Sequence, residues 1–374
     1  MRVLHVYSGN LFGGIETILL SLARHAAGSG AAHAFALCFD ARLARELRAC
    51  GADVRLLAPV RVSRPRSVRD ARRRLASHVA AQSFDTCVVH APWSHALFAS
   101  IVRRTNLPLT FWAHDAWRGR HWTERWARRT PPDLVVANSA FTAETMTSAF
   151  PGVPCAVVHA PLDVAPATLP PSDRAAIRAQ WQTSDDAVVV VQASRLEAWK
   201  GHATLLQALA ALRDDRRWTC WIVGGAQRRA EREYEASLRA RAIDLGIGDR
   251  VRFAGERDDV PRVLAAADIY CQPNAQPEPF GIVFVEALAA GLPVVTSGIG
   301  GAPDIVDASC GRLVPPADAD RLRDVLAHLI ADRDVRASLG RAGPSRAAML
   351  CDPTRQLRRL HELLPVARRM VIAR

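Results

Sequence analysis

Lysine is almost missing from this chain. Of its 49 basic residues, 48 are arginine and one, Lys200, is lysine, in 374 residues altogether. Chemistry that needs an ammonium therefore has a single place to occur. Metal-type cysteine spacing is missing as well. The eight cysteines (Cys38, Cys50, Cys87, Cys155, Cys220, Cys271, Cys310 and Cys351) contain no C-x-x-C and no zinc-like pairing with histidine. Several sit in apolar runs such as FDTCVVH, where a thiol behaves as a small buried hydrophobe. Such scatter fits a reduced setting better than a disulfide framework. No apolar run approaches the roughly 18 residues of a membrane span. The opening MRVLHVYSG has one charged side chain and too short an apolar stretch for a secretory leader. Neither an anchor nor an export signal is expected. There is no tandem repeat with a period of roughly 20–50 residues. There is also no G-x-G-x-x-G, so a nicotinamide fingerprint is unsupported.

What is present is ordinary globular material, 49% apolar and 23% charged, with mean hydropathy of +0.00. The length favours two domains of roughly 150 to 200 residues each. Short β-branched runs alternate with longer amphipathic stretches: RVLHVY, HAFALCF, DVRLLA, TCVVHA, PLTFWAH and DLVVANS, with helices expected at 14–28, 40–50 and 67–82. The rhythm resumes with AVVVVQAS, WTCWIVGG, VRFAGE, DIYCQPN, PVVTSG and GRLVPP, with helices expected at 203–213, 230–245 and from about 281. Such alternation predicts parallel βαβ units. The Pro-rich APLDVAPATLPPSD at 160–173 reads as a linker. The expected organisation is an α/β chain of two Rossmann-like parallel-sheet domains, 1–165 and 175–352, facing a central cleft. A helical tail at 353–374, broken at Pro365, would pack back on the first domain.

Three stretches carry candidate chemistry. In EPFGIVFVEALAAGLPVV, Glu278 precedes an apolar helix and Glu286 lies a turn inside it. A helix starting near Gly281 points the amides of Phe280, Gly281 and Ile282 at any anion placed there. In VVVVQASRLEAWKG, Arg195 and Lys200 follow a buried strand. Two cations on one loop suit an anionic ligand. In YSGNLFGGIETILL, Gly13 and Gly14 precede a helix and let the backbone approach a phosphate closely. His114, in PLTFWAHDAW, ends a strand.

The E-x7-E stretch with its GLPVVTSGIGG continuation resembles the family-4 retaining glycosyltransferases of GT-B architecture, and the resemblance covers nearly the whole chain. It implies transfer of a sugar from a nucleotide-diphosphate donor to an acceptor hydroxyl with retention of configuration, in cell-surface polysaccharide or glycolipid synthesis. It also implies that no cofactor and no bound metal are needed. By this resemblance Glu278 lies by the donor sugar, Glu286 binds the ribose hydroxyls, Arg195 and Lys200 hold the pyrophosphate, and Gly13 and Gly14 contact donor phosphate or sugar. Phe280, Gly281 and Ile282 fall in the same donor-binding loop. His114 sits near the sugar, positioning it rather than acting as a general base. The catalytic set is thus His114, Arg195, Lys200 and Glu278. Lesser candidates are Asn138 and Ser139, the latter reading best as a helix N-cap, with His90, His95, Gly224, Gly225 and Asp304. Asp304 stands where the family usually has Glu, and EAW at 197–199 replaces a proline-bearing loop.

Positive charge is concentrated in the first half: residues 1–165 carry 20 Arg against 11 acidic residues, a net +9, while the remainder carries +3. The stretch 61–74 has seven Arg to one Asp, and 117–129 interleaves five Arg with Trp117, Trp122 and Trp126. Arg beside Trp suits an anionic membrane surface, or a solvated face in an Arg-biased protein. No nucleic-acid module accompanies the charge. The expected partners are a nucleotide-sugar donor and a saccharide or lipid-linked acceptor, in a cytoplasmic setting where the basic stretches would meet the inner face of the plasma membrane. Two alternatives stay open: another GT-B enzyme, such as an epimerase or phosphorylase, or a non-catalytic membrane-associated scaffold. Base, sugar and acceptor are not encoded in any motif.

Overall fold

A computed structural model describes residues 1–10, 13–164, 169–226 and 228–372, the last seven of these by their backbone alone. The chain divides into two compact units, one made of Met1–Asp163 with Cys351–Arg374, the other of Val164–Leu350.

The first unit holds β1 (Arg2–Tyr7), β2 (Ala32–Leu37), β3 (Asp53–Leu56), β4 (Thr86–His90), β5 (Leu109–Ala113), β6 (Leu134–Ala137) and β7 (Cys155–Val157). All pair in parallel in the order β3-β2-β1-β4-β5-β6-β7. β4, β5 and β6 are buried along their whole length, as a sheet covered on both faces demands of its strands. Covering helices show the matching stripe: Pro65–Ala81 starts with proline in its first turn and buries Val68, Ala71, Leu75, His78 and Val79, a helical spacing of three and four.

The second unit holds β8 (Val188–Ala193), β9 (Trp218–Val223), β10 (Val251–Gly255), β11 (Ile269–Gln272), β12 (Val294–Ser297) and β13 (Gly311–Val314), parallel in the order β10-β9-β8-β11-β12-β13. In both sheets the order reverses beside the first strand, between β1 and β4 and between β8 and β11. Ligands of open parallel sheets bind at the carboxyl ends of strands at such reversals.

Three expectations are corrected. The segment read as linker up to residue 173 already starts a helix, Pro171–Gln180, because proline in a first helical turn costs no hydrogen bond. The tail is not broken at Pro365: one helix runs Pro353–Ile372 with that proline inside. Buried Leu357, Leu360 and Leu364 hold its preceding turns on the first unit. Trp117, placed by sequence on a membrane-facing stretch, is buried against Phe111 and Phe150 with ring centroids 5.2 Å from each.

Candidate active site

The second unit shapes its site from the residues after β8 and β11. Past β8 the chain makes a short 3-10 turn, Ala198–Lys200, and closes at Gly201 with φ +80. A Cβ there would lie 1.8 Å from the carbonyl oxygen of Pro273, so only glycine lets this loop reach the loop after β11. The two are tied by Ala275 donating to the Trp199 carbonyl at 2.7 Å, and Gln192 Nε2, on β8, donates to the Lys200 carbonyl at 2.9 Å.

This backbone delivers Lys200, buried, to Glu278. Its Nζ lies 2.5 Å from Glu278 Oε1 and 4.1 Å from the centroid of the Trp199 ring. Glu278 Oε2 accepts from Gln272 Nε2 at 2.8 Å and from Asn274 Nδ2 at 2.9 Å. Tyr270 completes the ladder, donating to Gln272 Oε1 at 2.8 Å. The lone lysine thus has a physical reason. An ammonium has three N–H groups in a compact cone; one meets a carboxylate and one a ring face, leaving a third for a ligand. A planar guanidinium with five donors is a larger and differently shaped group for the same enclosed site.

Arg195 behaves differently. It is exposed, with its guanidinium 3.1 Å from Glu197 Oε1, and Glu197 Oε2 accepts from the Trp199 indole at 2.9 Å. Lys200 and Glu278 are brought into contact; among the described residues Arg195 is joined to them through Glu197 and Trp199. The helix after Glu278 is Ile282–Ala289, with Gly281 as its N-cap. Phe280 is buried in the core. Glu286 lies within this helix, burial pushes its carboxyl above the usual range, and its carboxylate has no hydrogen-bond partner among the described residues. Behind Glu278, Gly301 donates to the Glu278 carbonyl at 2.8 Å. His202, beside Lys200, is lowered to about 4 by burial and by the Lys200 charge.

In the first unit, Gly13 caps the helix Gly14–His25 in an extended conformation, and a Cβ on it would meet only Glu16 at 3.7 Å. Neither backbone nor packing requires glycine at 13. His114 follows β5, is buried, and is lowered to about 3 by burial. Its Nε2 faces His90 Nδ1 at 2.9 Å, its carbonyl accepts from Asn138 Nδ2 at 3.0 Å, and its Nδ1 has no partner among the described residues. Ser139 caps the helix Ala140–Ala149 by accepting from the Thr142 amide at 3.0 Å. His95 is structural, its Nε2 on the Thr130 carbonyl at 2.8 Å. Gly224 and Gly225 pack on Ser194 and Glu256, where a Cβ would lie 2.0 and 2.5 Å from its neighbours. The Asp304 carbonyl accepts from Arg346 at 2.9 Å. No group of three or more His, Cys, Asp or Glu among the described residues is arranged to hold a metal ion.

Sequence reading missed Tyr270, Gln272 and Asn274. Their signal was the two-residue period of polar side chains along IYCQPN, which puts all three on one face. His5 and His33 were missed too, though each is a histidine inside an otherwise apolar run.

Two Rossmann-like parallel-sheet domains, each with marked residues beyond its strand ends, define the GT-B fold of glycosyltransferases. Residues 12–165 match the family described as Glycosyltransferase Family 4, and residues 173–346 match Glycosyl transferases group 1. The first model thus accounts for most of the first unit and the second for most of the second. A GDP-mannose-dependent monoacylated alpha-(1-6)-phosphatidylinositol monomannoside mannosyltransferase of Corynebacterium glutamicum is 34% identical over 227 residues, 57% of this chain and 57% of that protein. The lipopolysaccharide core biosynthesis glycosyltransferase LpsE of Rhizobium meliloti is 34% identical over 167 residues, 44% of this chain and 46% of that protein. The chain therefore spans about half the length of these curated relatives. The crystal structure of Anabaena HepE in complex with UDP superposes with TM-score 0.84 at 25% identity, over 98% of this chain and 100% of that one.

Proposed function

We propose that this chain transfers a sugar from a nucleoside-diphosphate donor to an acceptor hydroxyl with retention of configuration, without a metal, in the synthesis of a cell-surface glycolipid or polysaccharide. The observation that carries the reading is the buried Lys200 ammonium, held on Glu278 where the second sheet reverses and beside the start of the helix Ile282–Ala289. Support comes from the HepE complex with UDP and from the relatives named for GDP-mannose and for lipopolysaccharide core synthesis.

In this mechanism the donor diphosphate lies on Lys200 and on the amides of Gly281 and Ile282. Arg195, exposed on the same loop, exchanges Glu197 for a phosphate oxygen. Glu286 accepts two ribose hydroxyls with its unbonded carboxylate. As the anomeric C–O bond to phosphate breaks, negative charge grows on the leaving oxygen, and fixed cations and amides stabilise that charge more than they stabilise the ground state. The acceptor oxygen bonds to the anomeric carbon from the same face, and its proton passes to the leaving phosphate oxygen. Glu278, with both oxygens engaged, holds Lys200 in place.

The test is turnover of a panel of UDP- and GDP-sugars, with the product's anomeric configuration read by proton NMR. One donor should be consumed with its configuration kept, and Glu278→Ala should lose about two orders of magnitude in rate. An inverted product would remove retention, and an undiminished Glu278→Ala would remove that residue's role.

The first unit adds a reading of the acceptor side. Arg69, Arg72, Arg73 and Arg104, with Val62 and Trp126, line a groove of about 580 Å³, and Trp122 is exposed beside it. Arg72 stacks 5.7 Å over the Trp126 ring and is lowered by burial and by the neighbouring Arg104. Cations crowded over an apolar floor are relieved by an anionic lipid headgroup. The chain then works at a membrane surface on the reducing side, in keeping with eight unpaired cysteines. No helix among the described residues is long and apolar enough to cross a membrane. The protein is expected to sediment with vesicles containing phosphatidylglycerol at low salt and to be released at high salt. Replacing both Arg69 and Arg104 by alanine should abolish sedimentation, and equal binding to neutral vesicles would refute the docking.

A further inference from the structure

Five of the chain's 12 histidines meet ring to ring inside the first unit. His361 Nε2 lies 3.0 Å from His33 Nε2, His33 Nδ1 lies 2.8 Å from His5 Nε2, and His5 Nδ1 lies 2.9 Å from His90 Nε2. The last link is His90 Nδ1 to His114 Nε2, at 2.9 Å. Neighbouring rings stack with centroids 5.0 to 5.2 Å apart.

Sheet register builds this row. His33 stands opposite Val3, two residues before His5. His90 follows Val89, which stands opposite Val6, so its level on β1 is Tyr7, two residues beyond His5. Trp112 stands opposite His90, two residues before His114. On adjacent parallel strands a step of two residues keeps side chains on one face. The row therefore climbs a diagonal across β2, β1, β4 and β5, and His361 of the helix Pro353–Ile372 extends it beyond the sheet.

Burial keeps all five rings neutral. His5 and His90 are held well below the ordinary range, His33 is lowered to about 4 and His114 to about 3, and His361 is lowered less. Around the row stand Phe35, Trp112 and Tyr7, the last donating to the buried carboxylate of Glu16, with Asp115 acting on Tyr7 and the N-terminal amine on His361. A neutral imidazole has one N–H and one lone pair. Each of the three inner rings uses both nitrogens within the row, so each must donate to one neighbour and accept from the other. Every link then points the same way, and whatever fixes one end fixes the other. At the far end the Ser29 carbonyl faces His361 and favours a proton there. With its one N–H turned to that carbonyl, His361 offers His33 a lone pair.

We infer that this row sets the tautomer of His114 from His361, placing the His114 proton on Nε2 and leaving Nδ1 as a bare acceptor for a ligand hydroxyl. His5, His33, His90 and His361 are positioning residues acting through His114. The identity of the hydroxyl rests on the function proposed above; the tautomer does not. Long-range proton–nitrogen correlation NMR on the full chain, labelled with 15N-histidine, reads it directly. His114 should show a bare Nδ1 and a protonated Nε2. His361→Phe keeps the stacked ring but removes the nitrogens, and should shift the His114 signals to an average of both tautomers. His361→Gln, whose side-chain carbonyl can still accept from His33, should restore the wild-type signals. In turnover assays His361→Phe should raise the KM of the substrate carrying that hydroxyl several-fold with kcat little changed, and His361→Gln should reverse this. A proton on Nδ1 in the wild type, which needs no variant to observe, or an unmoved His114 in a folded His361→Phe, would overturn the inference. The expected spectra without any sugar transfer would instead count against the proposed function alone.

Discussion

Replacing Lys200 by methionine is expected to lower turnover by about two to three orders of magnitude, the usual cost of removing one preorganised electrostatic contact to a leaving group. The same change leaves Glu278 buried without its cation. Breaking a buried pair from one side costs about 3–5 kcal/mol, so a lower melting temperature will accompany the lost rate. The two effects separate in the double variant Lys200→Met with Glu278→Gln. A neutral amide keeps the contacts to Gln272 and Asn274 without a buried charge, so stability should return while turnover stays low. Lys200→Arg should fail as well, despite its charge, because the ammonium sits 2.5 Å from Glu278 and 4.1 Å over Trp199, a space shaped for a compact head. Steady-state kinetics with thermal melts on the four proteins would check this. Recovery of turnover in the double variant would mean that Lys200 serves stability only.

The second large effect is acid sensitivity of the first unit. Burial lowers His5, His33, His90, His95 and His114 below the ordinary histidine value. An unfolded histidine titrates near 6.5, whereas His33 and His95 in the fold titrate at about 4 and His114 at about 3. Between those values the unfolded chain binds more protons than the folded one, so stability rises with pH in this window and is lost as pH falls. The loss starts below about 6.5 and levels off below the folded values. At pH about 5 each such imidazole contributes about 2 kcal/mol of destabilisation, since each tenfold difference in proton affinity between the two states is worth about 1.4 kcal/mol. Several together should lower the melting temperature of the first unit by at least about 10 °C. Calorimetric scans from neutral pH down to about 4 would show it. A melting temperature flat through that window would mean that the histidines are not buried neutral.

Much of the architecture could be read from residue patterns because a sheet covered on both faces leaves strands as unbroken apolar runs. VVVVQA and TCVVH are such runs, and both are strands. The Glu278 loop was likewise marked by its own residues, and the structure joins it to Lys200. What stayed hidden needed information between strands. The histidine diagonal exists only through the register of four neighbouring strands, which no local window contains. Gln272 and Asn274 lie in the strand run DIYCQPN, and their contacts to Glu278 form only once its loop folds back over them. Trp117 shares its neighbourhood with exposed Trp122 and five arginines, and only its contact with Phe111 and Phe150 puts it inside. The course of the last helix through Pro365 depends on leucines packed one and two turns earlier, a tertiary restraint outweighing a local preference.

Isothermal titration of UDP and GDP into the wild type and Lys200→Met addresses the donor site most directly. Binding of one of these diphosphates by the wild type at a single site, weakened about tenfold to a hundredfold in the variant, is the predicted result. Equal affinity in both proteins, or no binding of either nucleotide by the wild type, would contradict it.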